Sequence, residues 1–259
     1  MNEIQVSENI TLITNGFGDF NTDVVIDLLK HVDIWLSEAL RQQPFTSKKV
    51  EIRHFRTFYP NSKPEDEEPE CRNSDDKTFH IILLATSGLH WCQLVLQFAH
   101  EYCHHLIDEP LKGKELHGLK WFEETICELS SIYCLERMKQ YCQKQEGHIS
   151  VEEYIKKREE EADKTDKSIS SYIKDNIEIL SSISSKGKIE DEDRNRHKLI
   201  AFSILDLFTE CSALWQIILH FGNTCEWKDL SELFKHLEKT ADNAYIEPLN
   251  ELKIRLLGS

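Results

Sequence analysis

Residues 98–106 read FAHEYCHHL, and this stretch decides how the rest of the chain is interpreted. In an α-helix successive residues turn by about 100°, so His100 and His104 lie on one face, one turn apart. His105 lies about 140° away from His100 and faces another side. The HExxH pattern in this stretch therefore presents two histidines and Glu101 on one side of a predicted helix.

The helix that carries this pattern is predicted to be largely buried. Apolar side chains cover most of its surface, and the polar side chains form one narrow stripe. The residues of the stripe are His90, Gln93, Gln97, His100, Glu101, His104 and Asp108. Such a helix lies in a core and turns its polar stripe toward solvent or toward a cleft.

HExxH is typical of zinc peptidases, in which the two histidines bind the metal and the glutamate moves a proton. The simpler interpretation is an amphipathic helix with polar residues on its wet side. A catalytic zinc takes a third protein ligand, so the zinc interpretation requires one more His, Asp or Glu. The extended pattern HExxHxxGxxH does not supply it, because Ile107 and Pro110 occupy the positions of its Gly and its last His.

A second predicted helix, which starts near Trp121 in WFEETICELSSIYCLERM, supplies a candidate. Glu124 follows His104 by 20 positions. Together the two segments resemble the gluzincin metallopeptidases, in which a glutamate ligand that opens another helix follows HExxH at about this distance. Those enzymes often carry an aromatic residue three positions before the ligand, as Trp121 is here. They usually have glycine after it, where this chain has Thr125.

The resemblance implies a ligand set and a base. His100, His104 and Glu124 are the implied ligands of Zn²⁺, and Glu101 is the implied general base. Glu128 lies one helical turn after Glu124. It corresponds to an acidic residue that, in many gluzincins, orients a histidine ligand without binding the metal itself.

Three other residues stay open as the third ligand. Glu123 is the main alternative to Glu124, because the first residue of a helix cannot be assigned from sequence alone. His117 and Asp108 are lesser alternatives, since each is more typical of a loop or of a helix surface.

The resemblance also implies a reaction. Zinc held by two neutral imidazoles and one carboxylate keeps a formal charge of +1, which lowers the pKa of a bound water toward about 7. Glu101 then accepts the proton of the water and passes it to the leaving amine of a peptide bond. Four downstream residues are candidates for stabilising the oxyanion, and no spacing rule chooses among them: His197, His220, His236 and Tyr245.

The strand predicted just before the HExxH helix, FHIILLA (79–85), resembles in its position the strand whose exposed edge binds extended peptides in such enzymes. An ordinary core strand is the alternative interpretation. Two further strands are predicted, in ITLITNGF (10–17) and VEIRHFRTFY (50–59), with a charged loop at 61–77. A helix over 22–40 follows a Thr22 cap.

From residue 89 onward the apolar spacing predicts helices almost throughout. They cover 89–108, about 120–143, 151–184, 194–221, and 227–257 with a break near Pro248. The chain is therefore predicted to be α+β and predominantly helical. A small α/β zincin-like subdomain is predicted at 1–118, with its few strands packed on the HExxH helix, and a helical subdomain at 119–259.

The composition limits the range of functions. With 31 basic and 46 acidic residues the formal charge is −15, which disfavours nucleic acid and anionic lipid as partners. The chain shows no export signal and no apolar run of about 20 residues, so we expect a cytoplasmic protein. Its eight cysteines contain no CxxC pair and are expected to be reduced.

Two functions compete at this point. The first is a zinc endopeptidase of narrow specificity that acts on a protein or peptide substrate, with a dedicated cytosolic protein as its partner. The alternative is a helical interaction or regulatory protein in which the zinc site is structural or vestigial. Glu101 favours the enzyme, because a structural site has no use for a base beside the metal.

Overall fold

The computed structural model describes residues 3–40, 48–111, 118–142, 148–182, 191–221, 228–240 and 243–258. The strands are β1 (Glu3–Ser7), β2 (Ile10–Ile13), β3 (Lys49–His54), β4 (Glu70–Asn73) and β5 (Phe79–Leu84). The helices are α1 (Thr22–Leu40), α2 (Phe55–Phe58), α3 (Trp91–Leu111), α4 (Lys120–Cys142), α5 (His148–Glu161), α6 (Ile169–Ser182), α7 (Asp191–Glu210), α8 (Ile217–His220), α9 (Leu230–Thr240) and α10 (Asn243–Leu257). The prediction of an α+β, predominantly helical fold is confirmed.

The five strands form one mixed sheet in the order β1-β2-β3-β5-β4. The three central strands, β2, β3 and β5, run parallel to one another. At the two edges, β1 is antiparallel to β2 and β4 is antiparallel to β5. β5 therefore has a partner on both sides, and the prediction that FHIILLA presents a free edge is wrong. The edge strand is β4, which lies in the segment predicted to be a charged loop. Its half-exposed residues ECRN carry no apolar alternation, which is why the sequence pattern did not reveal it.

The N-terminal half otherwise follows the predicted elements closely. α1 has the predicted bounds, but the side chain that caps it belongs to Asn21, whose Oδ1 accepts a hydrogen bond from Val24 N at 3.3 Å. Thr22 is the first residue of the helix itself. The predicted strand at 50–59 ends at His54, because the chain turns there into α2 and His54 Nδ1 accepts from Arg56 N.

The C-terminal half contains more breaks than the apolar spacing indicated. The predicted helix 151–184 is two helices, α5 and α6, and a 3₁₀ turn separates α7 from α8. Pro248 lies inside α10, so the predicted break near it is wrong.

A single cluster of buried apolar residues extends through both halves of the chain. It contains Leu29 of α1, Phe98 of α3, Phe122 of α4 and Phe208 of α7, among others. The boundary between residues 118 and 119 stays a prediction.

No single helix in the described ranges combines the length and the apolar composition needed to cross a bilayer. One bent pair, Glu192–Glu210 with Ser212–His220, meets both criteria only when its two arms are taken together across a 116° bend.

Candidate metal site

Two helices that pack side by side, α3 and α4, carry the predicted site. Two buried hydroxyl groups of α4 donate hydrogen bonds to backbone carbonyls of α3: Ser130 to Ala99 O and Ser131 to Leu96 O, both at 2.9 Å. Small side chains at these positions let the helices approach closely, and the hydrogen bonds define their register. The register brings the first turn of α4 opposite the HExxH segment of α3.

The structure brings His100, His104 and Glu124 together. Oε2 of Glu124 lies 3.5 Å from Nε2 of His100 and 3.4 Å from Nε2 of His104. One ligand atom from each of the three residues lies within 4.8 Å of the other two. Two imidazole nitrogens and one carboxylate oxygen are a donor set that suits Zn²⁺.

Glu123, the main alternative ligand, faces a different atom. Its Oε1 accepts a hydrogen bond from Nδ1 of His104 at 2.7 Å, on the side of the ring away from Glu124. A carboxylate in this position fixes the proton on Nδ1 and leaves Nε2 of His104 free for a metal. Sequence reasoning assigned this orienting role to Glu128, and the structure places Glu123 in it for His104.

Glu128 lies behind the other histidine. Its Oε2 is 3.8 Å from Nδ1 of His100, and its Oε1 is 3.6 Å from the guanidinium of Arg158 on α5. The two glutamates thus face the outer nitrogens of the two histidines. Arg158, from the helix that follows α4, balances the charge of Glu128. The sequence did not indicate this pairing.

Glu101 lies buried in the same cleft, with 6% of its surface exposed. Burial raises the pKa of this carboxyl above its ordinary value, and the charges of His100 and His104 act in the opposite direction. A carboxyl with a raised pKa exchanges a proton closer to neutral pH than an exposed one does.

The pKa values of His104 and Glu124 shift in opposite directions. Burial alone lowers the pKa of His104, but the charge of Glu124 and hydrogen bonds to Glu123 and Glu124 outweigh it and raise this pKa well above its ordinary value. Burial alone raises the pKa of Glu124, but the charge of His104 and hydrogen bonds from both imidazoles hold it well below its ordinary value. The His104 imidazolium and the Glu124 carboxylate thus stabilise each other, and the negative charge of Glu124 suits a cation at this position.

The cleft around these residues has a volume of about 350 Å³. One wall is the edge strand β4, from which Glu70, Cys71, Arg72 and Asn73 line the cleft. α7 also lines the cleft, through Arg194 and His197. The cleft thus runs between the edge of the sheet and the helical half of the chain.

Of the four oxyanion candidates, His197 alone lines this cleft. Thr125 Oγ1 donates to Trp121 O at 2.9 Å, so Nδ1–H of His197 is the donor in the 2.8 Å contact with that hydroxyl. Nε2 of His197 then carries no proton, and no described residue hydrogen-bonds to it. Burial lowers the pKa of His197 to about 4, against the charges of nearby glutamates. His197 is therefore a neutral acceptor, and it does not suit an oxyanion.

The other candidates lie elsewhere. His220 and His236 face each other at 3.3 Å, and Tyr245 is buried outside the cleft. Asp108, a lesser alternative for the third ligand, lines the same cleft but is not part of the ligand group, and it lies 3.2 Å from Lys48 and 3.1 Å from His80. His117 lies outside the described residues.

Lys120 is the site residue that sequence reasoning missed. It opens α4, and its Nζ lies 2.8 Å from Oε1 of Glu123 and 3.2 Å from Oε1 of Glu124. A basic residue three and four positions before two glutamates is a visible signal, because such residues are neighbours on a helix.

No protein family, curated protein or solved structure matches this chain. The site is therefore interpreted from its own geometry.

Proposed function

We propose that this protein is a zinc-dependent metallopeptidase of the gluzincin type, an endopeptidase of narrow specificity that hydrolyses peptide bonds in a cytoplasmic protein partner. One observation supports this most directly. The ligand atoms of His100, His104 and Glu124 converge in a cleft that also contains the buried carboxyl of Glu101. A structural metal site needs the three ligands but not the carboxyl beside them.

His100, His104 and Glu124 are the residues that would hold the zinc ion. Bound zinc supplies Lewis acidity, which polarises a carbonyl group and lowers the pKa of a water molecule. The chain provides three ligands in this group, which is the number that catalytic zinc sites take from the protein. Glu123 hydrogen-bonds the outer nitrogen of His104 and so orients that ring, and the charge of Glu128 lies 3.8 Å from the outer nitrogen of His100.

Glu101 is the proposed general base and acid. Its raised pKa lets it take a proton from the attacking water and hold it. It then delivers that proton to the leaving nitrogen as the peptide bond breaks.

β4 is the proposed substrate platform. Among the described strands it pairs with β5 alone, at the edge of the sheet, and its residues line the cleft. An extended peptide can add to such an edge through backbone hydrogen bonds, without strict demands on its sequence. Specificity then comes from the narrow cleft and from α7, which suits one dedicated partner better than broad digestion.

The free thiols support a reducing compartment. Seven cysteines of the described residues are free thiols: Cys71, Cys92, Cys103, Cys127, Cys134, Cys142 and Cys211. Reduced cysteines are the rule in the cytoplasm, where we propose that the protein acts.

The first test is the zinc content of the purified chain by elemental mass spectrometry. We expect about one zinc per chain, and we expect the Glu124→Ala variant to lose it because one of three ligands is gone. Glu136→Ala is the matched control, since Glu136 lies on the same helix and, among the described residues, its ion pair is with Lys139 at 3.9 Å. A parent chain that takes up no zinc would refute the proposal.

The second test asks whether the metal site is catalytic. Parent chain and Glu101→Gln are incubated with a proteome-derived peptide mixture, and new termini are read by mass spectrometry. We expect the variant to keep its zinc and to cleave about 10²–10⁴-fold more slowly, because it lacks the proton acceptor. Zinc binding without any cleavage by the parent would favour the regulatory protein with a structural zinc site. Equal cleavage by both would exclude Glu101 as the base.

A further inference from the structure

We propose that Lys120 is a positioning residue that holds Glu124 to one metal-binding oxygen and so keeps a coordination position open. This inference rests on the proposed zinc function.

The two oxygens of Glu124 have different neighbours. Oε2 faces Nε2 of His100 at 3.5 Å and Nε2 of His104 at 3.4 Å. Oε1 faces Nζ of Lys120 at 3.2 Å. The ammonium group thus occupies the oxygen that is turned away from the imidazoles, and the other oxygen is left for the metal.

Lys120 also reaches the carboxylate that orients His104. Its Nζ donates to Oε1 of Glu123 at 2.8 Å, and the same oxygen accepts from Nδ1 of His104 at 2.7 Å. The Lys120 ammonium therefore links Glu124, a proposed ligand, to Glu123, which orients the second proposed ligand His104. The two adjacent buried carboxylates would otherwise repel each other.

Stabilisation of helix α4 itself does not explain why a lysine stands at position 120. A positive charge in the first turn of a helix opposes the helix dipole. A lysine before its glutamate is also the weaker orientation for a helical ion pair. Lys120 keeps 35% of its side chain exposed, yet its ammonium group points to the two buried carboxylates rather than to solvent. Its position is explained by what it does to Glu123 and Glu124.

The consequence concerns the number of ligand atoms. A carboxylate can bind a metal through one oxygen or through both. Two imidazoles and one carboxylate oxygen leave a fourth position of a tetrahedral zinc site open, whereas a second oxygen from Glu124 fills it. By occupying Oε1, Lys120 preserves the place that water and substrate need.

The test replaces zinc with Co²⁺ and records the visible absorption of the parent chain, Lys120→Met and Lys120→Arg. The visible absorption of bound Co²⁺ reports its coordination geometry, and it weakens as the coordination number rises. We expect Lys120→Met to bind Co²⁺ with a loss of absorption intensity, because Glu124 then offers both oxygens. Lys120→Arg keeps a donor at Oε1 and should retain the spectrum of the parent.

Azide provides a second readout of the open position. Added azide should shift the cobalt spectrum of the parent and of Lys120→Arg, and the shift should be lost in Lys120→Met. Circular dichroism verifies the fold of each variant. Should Lys120→Met fail to fold, Lys120→Gln replaces it, because the shorter amide side chain cannot reach both carboxylates.

The outcomes separate this inference from the proposed function. A parent chain that binds neither Zn²⁺ nor Co²⁺ refutes both. A parent that binds cobalt, with an unchanged spectrum and azide shift in Lys120→Met, refutes the role of Lys120 alone. Complete loss of cobalt from Lys120→Met would also overturn it, because Glu124 released from Lys120 should still bind.

Discussion

His104 and His105 are neighbours in the sequence and lie in opposite environments. His104 faces Glu123 and Glu124 in the cleft, and these carboxylates raise its pKa. His105 is fully buried on the other side of α3, with its Nδ1 2.7 Å from Nδ1 of His80 on β5. Burial and the neighbouring His80 lower the pKa of His105 to about 3.

The face of α3 on which a histidine lies therefore decides its partners and the direction of its pKa shift. A turn of about 100° separates the two side chains and directs one to carboxylates and the other to the sheet. His105 also stacks on the ring of Tyr102, with centroids 5.4 Å apart and an angle of 17° between the rings. It holds α3 against the sheet while His104 takes part in the site.

The largest expected difference between the two is in zinc binding. His104→Ala removes one of the three proposed ligands, so its zinc affinity should fall by more than the roughly 10–100-fold that loss of a supporting residue costs. His105→Ala should keep the affinity of the parent, since His105 lies outside the ligand group. Competition with a chromogenic chelator measures both. Equal losses in the two variants would mean that the comparison reflects helix stability rather than ligation.

A smaller effect is expected when the partner of His104 is changed. Glu123→Gln keeps the shape of the side chain but removes the charge that faces Nδ1, so zinc affinity should fall by about 10–100-fold. The same chelator competition measures it, with Glu136→Gln as the control on the same helix. An affinity lost as completely as in Glu124→Ala would instead identify Glu123 as a ligand.

The smallest effect is expected on the structural side of the comparison. His105→Leu removes the 2.7 Å contact at the buried Nδ1 of His80 and leaves only the Cys71 thiol at 3.9 Å, which should lower the free energy of unfolding by about 1–3 kcal/mol. Urea unfolding of the zinc-free chain measures the change. A variant as stable as the parent would show that the contact between His80 and His105 contributes nothing to holding α3 on the sheet.

The HExxH segment illustrates how much local periodicity can predict. It placed His100, Glu101 and His104 on one face of a helix because 3.6 residues per turn is a local property of the backbone. Glu124, 20 positions after His104, followed from the resemblance to the gluzincins, with Glu123 left open beside it. The α+β fold with a helical second half followed from the same patterns.

β4 and the partners of the site illustrate what local patterns cannot contain. β4 is a strand because β5 offers it an edge, and its own residues ECRN carry no strand signal. Arg158 reaches Glu128 from α5, and His197 reaches Thr125 from a position 72 residues along the chain. No spacing rule connects such residues, because the distance between them depends on how helices pack.

By itself the sequence determined the helical face that carries the two histidines, the segment that carries the candidate glutamates Glu123 and Glu124, and the predominance of helix. Each of these depends on residues within one turn or one hairpin of each other. Only the tertiary structure decided that β4 borders the cleft and that Glu123 faces Nδ1 of His104 while Glu124 faces Nε2. Those arrangements depend on the register between α3 and α4, which buried hydroxyls and core packing determine across the fold.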